Sequence, residues 1–116
     1  IVTCNMFGDI VTDLCAVLQG GLGVASSANL NPQTGVGLFE PVHGSAPKYS
    51  GQGVANPLAA ILTSQLMFEF LQYHEVGAAI ENAVRRSIVE GQVTRDLGGN
   101  LKTEEVAVAV AERISG

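Results

Sequence analysis

Asp9 and Asp13 stand four residues apart in the run Asn5-Met6-Phe7-Gly8-Asp9-Ile10-Val11-Thr12-Asp13. On a helix that spacing puts both carboxylates on one face, one turn apart. Like charges so placed repel by roughly 0.2–0.5 kcal/mol unless something neutralises them. A hard divalent cation reverses the sign, because Mg²⁺ is held by one or two carboxylates together with substrate oxygens and waters. The competing reading is a solvated acidic face near a helix N-terminus, where the macrodipole favours negative charge. A second cluster lies in Glu40–Asn56, which carries Pro41, Gly44, Pro47, Gly51 and Gly53 and so reads as a long structured loop. Loops of that length in compact domains are usually functional. Gly44, Ser45 and Ala46 are small enough for their backbone to approach a ligand closely. Their amide groups and the Ser45 hydroxyl suit a pyrophosphate. His43 offers a flat ring and a donor, and is otherwise a loop histidine. Asn56, before Pro57, reads as a helix N-cap.

These residues need elements to hold them. Residues 1–4 read as a strand. Residues 9–19 read as a helix with Ile10, Val11, Leu14, Val17 and Leu18 apolar, stopped by Gly20-Gly21. Residues 22–30 read as an extended crossing segment, 31–35 as a turn and 36–39 as a short strand. A helix follows over 57–71, with Leu58, Ile61, Leu62, Met67, Phe68 and Leu71 facing inward. Another spans 75–90 and ends at Gly91. Thr94–Gly99 is a second polar loop that ends in glycine. Thr103 caps a last helix carrying Val106, Val110 and Ile114, with Glu104 and Glu105 in its first turn. Alternating strands and helices make the class α/β.

Composition narrows the function classes. The 116 residues are 47% hydrophobic and 15% charged, a well-buried chain of at most one domain and not a disordered one. A net charge of −5, with no basic run beyond Arg85-Arg86, argues against nucleic acid and anionic membrane as partners. No apolar run approaches the length of a membrane span. Cys4 and Cys15 make a poor disulfide framework and read as buried thiols in a reducing compartment, the cytoplasm. The chain opens on Ile1-Val2-Thr3-Cys4. Domains seldom begin inside a core strand, so the expectation is a fragment of a longer protein.

Three segments in order resemble the isocitrate/isopropylmalate dehydrogenase family: NMFGDIVTD at 5–13, LFEPVHGSAPKYSGQGVANP at 38–57 and TRDLGG at 94–99. The resemblance covers the whole chain and corresponds to the family's C-terminal part. The segment 18–23 and the HGSAP stretch look closer to the isopropylmalate branch, whose members serve leucine biosynthesis, than to the classical bacterial isocitrate enzymes. The resemblance implies an open twisted sheet with helices on both faces, in two domains between which the chain crosses twice. It is not a Rossmann fold: the glycines at 20, 21 and 23 follow a helix and lack the dinucleotide fingerprint. Residues 1–24 would end the small dimerisation and metal-binding domain, and 25–116 would form the C-terminal part of the coenzyme-binding domain. A homodimer is implied.

The family's metal ligands lie on the first helix, which makes Asp9 and Asp13 the metal candidates for Mg²⁺ or Mn²⁺. The cation acts as a Lewis acid on the 2-hydroxyl and neighbouring carboxylate of a small 2-hydroxy acid, first in hydride transfer and then as the β-carboxylate leaves as CO₂. A third metal carboxylate comes from the partner subunit. Coenzyme, NAD or NADP, falls to Glu40, His43, Gly44, Ser45, Ala46, Lys48, Tyr49, Asn56, Arg95 and Asp96. Asn56 would meet adenine through its backbone as well as capping its helix. NAD-using members carry an acidic residue where this chain has Lys48, and Lys-Tyr is the pair of NADP-specific bacterial isocitrate dehydrogenases. Those enzymes add a tyrosine and an arginine from the later loop, at positions that look like Arg95 and Gly99 here. Arg95 is then either a phosphate ligand or a surface charge.

No catalytic residue is expected within the chain. Lys48, Lys102, Tyr49 and Tyr73 do not sit in the family's catalytic motifs, and its catalytic lysine and tyrosine and its substrate-binding arginines lie upstream. The implied activity is NAD(P)-dependent oxidative decarboxylation of a 2-hydroxy acid such as 3-isopropylmalate. The alternatives are isocitrate or homoisocitrate as substrate, or a non-catalytic nucleotide-binding or assembly module.

Overall fold

The computed structural model describes residues 1–115. The elements are α1 (Asn5–Ala16), β1 (Ser26–Asn31), β2 (Val36–Pro41), α2 (Leu58–Phe70), α3 (His74–Val89) and α4 (Thr103–Ser115). Four short 3₁₀ turns lie between them, at 17–19, 22–24, 47–49 and 95–97. The class is α/β as expected, but the strands do not alternate with helices: β1 and β2 are consecutive, between α1 and α2. The sheet itself is a two-stranded antiparallel hairpin, paired from Ser26 with Pro41 to Asn31 with Val36.

Residues 1–4 form no strand; Ile1 and Val2 are fully exposed, and no strand lies beside them among the described residues. Strand pairing needs a partner, and apolar β-branched residues alone do not supply one. The first helix begins four residues earlier than the pattern predicts, because Gly8 continues it: its amide donates to the Cys4 carbonyl at 2.9 Å. The α-helix ends at Ala16, three residues short of the expected end, and a 3₁₀ turn over 17–19 carries the chain to the expected glycine stop. The Gly20 and Gly21 amides close onto Val17 and Ala16, with Gly20 left-handed at φ 113°. Both cysteines are exposed and free, against the expectation of buried thiols. The reason is that α1 buries only Ala16 in this chain.

The extended segment foreseen over 22–30 is a 3₁₀ turn followed by β1. The turn after β1 is held by Asn31, whose Oδ1 accepts the amides of Gln33 and Thr34.

The core gathers Val24, Leu58, Ala83, Val84, Val93, Val106 and Val110, with Ile61, Leu62, Leu97 and Leu101 packed on it. Helix α2 is its axis. One side meets α3 and the other carries the hairpin, where Phe39 and Phe70 rings lie 5.6 Å apart at 56°. Covered on two sides, α2 has no polar stripe. Ala59 and Thr63 are buried beside Leu58, whereas Leu71, expected inward, lies past the helix end and is half exposed. Val106 and Val110 are buried as foreseen, and Ile114 is 42% exposed. At the opposite edge Arg113 joins Glu90 and Gln92, fastening α4 to the end of α3. The hydrogen bond from Arg113 is the main reason the Glu90 carboxyl sits below the usual carboxylate range. No helix among the described residues is long and apolar enough to cross a membrane.

Candidate functional site

Two loops meet over the N-terminal end of α2. Asn56 sits between them. Its Oδ1 accepts the Leu58 amide at 2.9 Å, the expected cap bond, and its Nδ2 donates to Asp96 Oδ2 at 2.9 Å. Asp96 Oδ1 accepts from the buried Thr94 hydroxyl at 2.5 Å. The chain Leu58–Asn56–Asp96–Thr94 thus ties the first loop to the second across forty residues of sequence. Gly23 lies against this brace. A Cβ there would stand 2.5 Å from Asp96 Oδ2 and 2.8 Å from Asn56 Nδ2, so any larger residue would push the brace apart.

Above the brace opens a cleft of about 1080 Å³. Its walls include His43, Gly44, Ala46 and Tyr49 from the first loop, Arg95 and Asp96 from the second, and Asn56 between them. Those are seven of the ten coenzyme candidates. The structure does not bring the other three into the wall. Glu40 lies on β2 opposite Ser27, whose hydroxyl donates to the Glu40 carbonyl at 2.7 Å. Ser45 is exposed outside the cleft. Lys48 is exposed too, its Nζ 5.7 Å from the centre of the Tyr49 ring. Leu22, Gly23, Gln52, Gly53, Asn100 and Lys102 also line the cleft, unforeseen in the sequence. Gly51 and Gly53, both at positive φ, were the available signal that the chain folds back there.

The cleft fits a nucleotide on its own evidence of shape and chemistry. Its volume lies just above the usual range of small-molecule sites, enough for a dinucleotide. His43 Nδ1 is engaged by the Gly44 carbonyl at 2.9 Å, while Nε2 is buried without a partner. An orphaned ring nitrogen at a cleft wall is a position a ligand would satisfy. Ala46 is left-handed at φ 43°, a conformation uncommon for a residue with a Cβ and one that marks ligand clamps.

Asp9 and Asp13 lie elsewhere, on α1 and exposed. Neither is in the first turn, which holds no acidic residue, so the helix-dipole explanation for them is lost. Two oxygen donors one turn apart suit Mg²⁺ or Mn²⁺ as part of a ligand set. Among the described residues no third His, Cys, Asp or Glu joins them.

The sequence profile described as isocitrate/isopropylmalate dehydrogenase matches residues 1–110. A 3-isopropylmalate dehydrogenase of Archaeoglobus fulgidus is 55% identical over 111 residues, 96% of this chain and 33% of that protein. A homoisocitrate dehydrogenase of Methanocaldococcus jannaschii is 50% identical over 106 residues, 91% of this chain and 30% of that protein. Among solved structures, isocitrate dehydrogenase from Methylococcus capsulatus superposes with a TM-score of 0.89 at 42% identity, covering 97% of this chain and 33% of that one. The chain spans about a third of the length of the relatives it matches.

Proposed function

The chain belongs to the isocitrate/isopropylmalate dehydrogenase family, and on that premise we propose that its full-length protein is an NAD(P)-dependent, metal-dependent oxidative decarboxylase of 2-hydroxy acids, acting on 3-isopropylmalate. The observation that carries this reading is the cleft built by two distant loops and locked by the Asn56–Asp96 hydrogen bond. NAD or NADP bound there would accept a hydride, and Mg²⁺ or Mn²⁺ at Asp9 and Asp13 would polarise the substrate's hydroxyl. The chain's own residues bind and orient. Gly44 and Ala46 would let backbone approach the pyrophosphate, and His43 Nε2, buried without a partner, would meet the adenosine end. Asn56, its side-chain amide engaged at both ends, would offer its backbone to the adenine edge at the start of α2. Residues 1–24 would close the metal-binding domain and 25–116 the coenzyme-binding domain, in a cytoplasmic enzyme.

The relatives carry several substrate names, so the test is a panel. The full-length protein is assayed for Mg²⁺-dependent NAD(P)H formation with 3-isopropylmalate, isocitrate, homoisocitrate, malate and tartrate. The highest kcat/KM is expected with 3-isopropylmalate. A preference for isocitrate or homoisocitrate would move the protein to that branch, and no turnover with any would leave a nucleotide-binding module.

A second copy of the chain is the proposed partner, at α1 and the 3₁₀ turn that follows it. Met6, Leu14 and Leu18 are 63%, 67% and 87% exposed there, with Phe7, Ile10 and Val17 beside them. An apolar face of this extent calls for cover. Sedimentation of the full-length protein should show a dimer, and Leu14→Asp with Leu18→Asp should split it. A monomeric wild type would refute the contact.

A further inference from the structure

We propose that Thr94 is a positioning residue of the coenzyme cleft: its buried hydroxyl holds the Asp96 carboxylate on Asn56, and so keeps both loops set for the coenzyme. The inference rests on the nucleotide reading above and concerns a side chain that would touch neither coenzyme nor substrate.

Thr94 has no exposed surface and follows Val93, a residue of the core. It does not line the cleft, whereas the next two residues, Arg95 and Asp96, do. A threonine at the start of a helical turn ordinarily accepts an amide of that turn through its hydroxyl. Thr94 opens the 3₁₀ turn at 95–97 and makes no such bond. Its hydroxyl donates instead to Asp96 Oδ1 at 2.5 Å. Its carbonyl accepts the amides of Leu97 and Gly99, both at 3.1 Å. The loop 94–99 is thus wound about one buried residue, and the side-chain bond is the part of that winding that reaches the cleft wall.

Asp96 needs such a hold. It is exposed, and it is the one carboxylate in the wall, in a chain of net charge −5. A coenzyme with a pyrophosphate is itself anionic, so a carboxylate turning in that wall would repel it. Two donors restrain the group, Thr94 on Oδ1 and Asn56 Nδ2 on Oδ2. Hydrogen bonds to a carboxylate are of the stronger, charge-assisted class. Asn56 meets only one oxygen, and its own Oδ1 is committed to the Leu58 amide. The Thr94 bond is the sole hydrogen bond of Asp96 Oδ1 among the described residues. Without it the carboxylate can rotate, the tie to Asn56 loosens, and Arg95 is no longer held between two fixed neighbours. Coenzyme binding would then have to order the wall that Thr94 orders beforehand.

The test uses the full-length protein and compares Thr94→Val, which keeps shape and removes the donor, with Thr94→Ser, which keeps the donor. Calorimetry measures the affinity for NAD and NADP, and initial rates give kcat and both KM values with the best 2-hydroxy acid of the panel. Thr94→Val should weaken the better-bound coenzyme by roughly tenfold, the scale of one hydrogen bond to a charged group, and raise its KM alike. Both kcat and the KM of the 2-hydroxy acid should stay within about twofold, because only binding of the coenzyme is lost. Thr94→Ser should bind coenzyme within about twofold of wild type. In an Asp96→Ala background Thr94→Val should cost nothing further, since the hydroxyl acts through that carboxylate. Should Thr94→Val fail to fold, Thr94→Ala, which sets no new apolar group against the carboxylate, takes its place with the same expectations. Unchanged coenzyme affinity in the variant without the hydroxyl overturns the proposal. So does a loss that Thr94→Ser shares, one that adds in full to that of Asp96→Ala, or one that falls equally on both KM values. Wild type that binds neither coenzyme would remove the cleft reading itself, and the proposal with it.

Discussion

Asp9→Asn or Asp13→Asn in the full-length protein should lower kcat about a hundredfold or more, some 2.7 kcal/mol of transition-state stabilisation. Both changes keep side-chain size and remove one negative charge. Both positions are exposed on α1 in this chain, so neither change disturbs packing within it. Folding stability should stay within about 0.5 kcal/mol, the usual range for surface substitutions. Removing one of two like charges a turn apart even relieves a small repulsion. The effect should therefore separate cleanly into lost turnover with an intact fold. The concentration of Mg²⁺ needed for half-maximal rate should rise in parallel. Circular dichroism and a metal titration of initial rates check the two halves. Full activity of both variants in EDTA would sink the metal assignment.

Much of this arrangement was legible in the sequence because its signals are local. Asn56-Pro57 announced the start of α2 through cap chemistry, and the Asn56 Oδ1 to Leu58 bond is that chemistry realised. Gly20-Gly21 announced the end of the first helical stretch through their freedom at positive φ. What was not legible depends on partners distant in the chain. Ile1–Cys4 have strand-like side chains and form no strand, since a ladder needs a neighbour. Cys4 and Cys15 have the apolar company of buried thiols and are exposed, because α1 packs so little of itself against this chain. Leu71 fits the apolar period of α2 and falls beyond the helix, after which Gln72 turns left-handed at φ 66°.

The cleft shows the same division. Its first wall was readable as a loop of small residues. Its second wall contains Lys102, which belongs to no motif and lies next to Thr103, bonded to Gly53 and Ala55 of the first loop. Lys48 shows the converse. Its motif position suggests a phosphate contact, and it lies outside the cleft wall with Nζ 5.7 Å from the centre of the Tyr49 ring. Sequence position names residue types near a ligand, while the hydrogen bonds between loops decide which of them reach it.

Gly99→Ala should destabilise the protein by about 3 kcal/mol, at the upper end of the range for overpacking a filled site. A Cβ at Gly99 would lie 2.0 Å from the Val93 carbonyl oxygen and 2.7 Å from its carbon. That neighbour is backbone and cannot swing aside. Val93 is buried in the core, and its carbonyl accepts the Leu101 amide at 3.1 Å. Thr94, also buried, accepts the Gly99 amide at 3.1 Å and holds Asp96 through its hydroxyl. Relief of the clash must move either the core strand of contacts at Val93 or the loop 94–99. Moving the loop displaces Asp96 from Asn56 and shifts Arg95 at the cleft wall. Loss of stability and loss of coenzyme affinity should therefore appear together, unlike the separation expected at Asp9 and Asp13. Thermal unfolding and coenzyme titration of Gly99→Ala, with the conservative Gly98→Ala beside it, measure the two effects. Gly98 is left-handed at φ 84° but has open space around its Cβ position, so it should lose only about 1 kcal/mol of backbone strain. Equal losses at the two glycines would show that conformation, not the close approach to Val93, governs this loop.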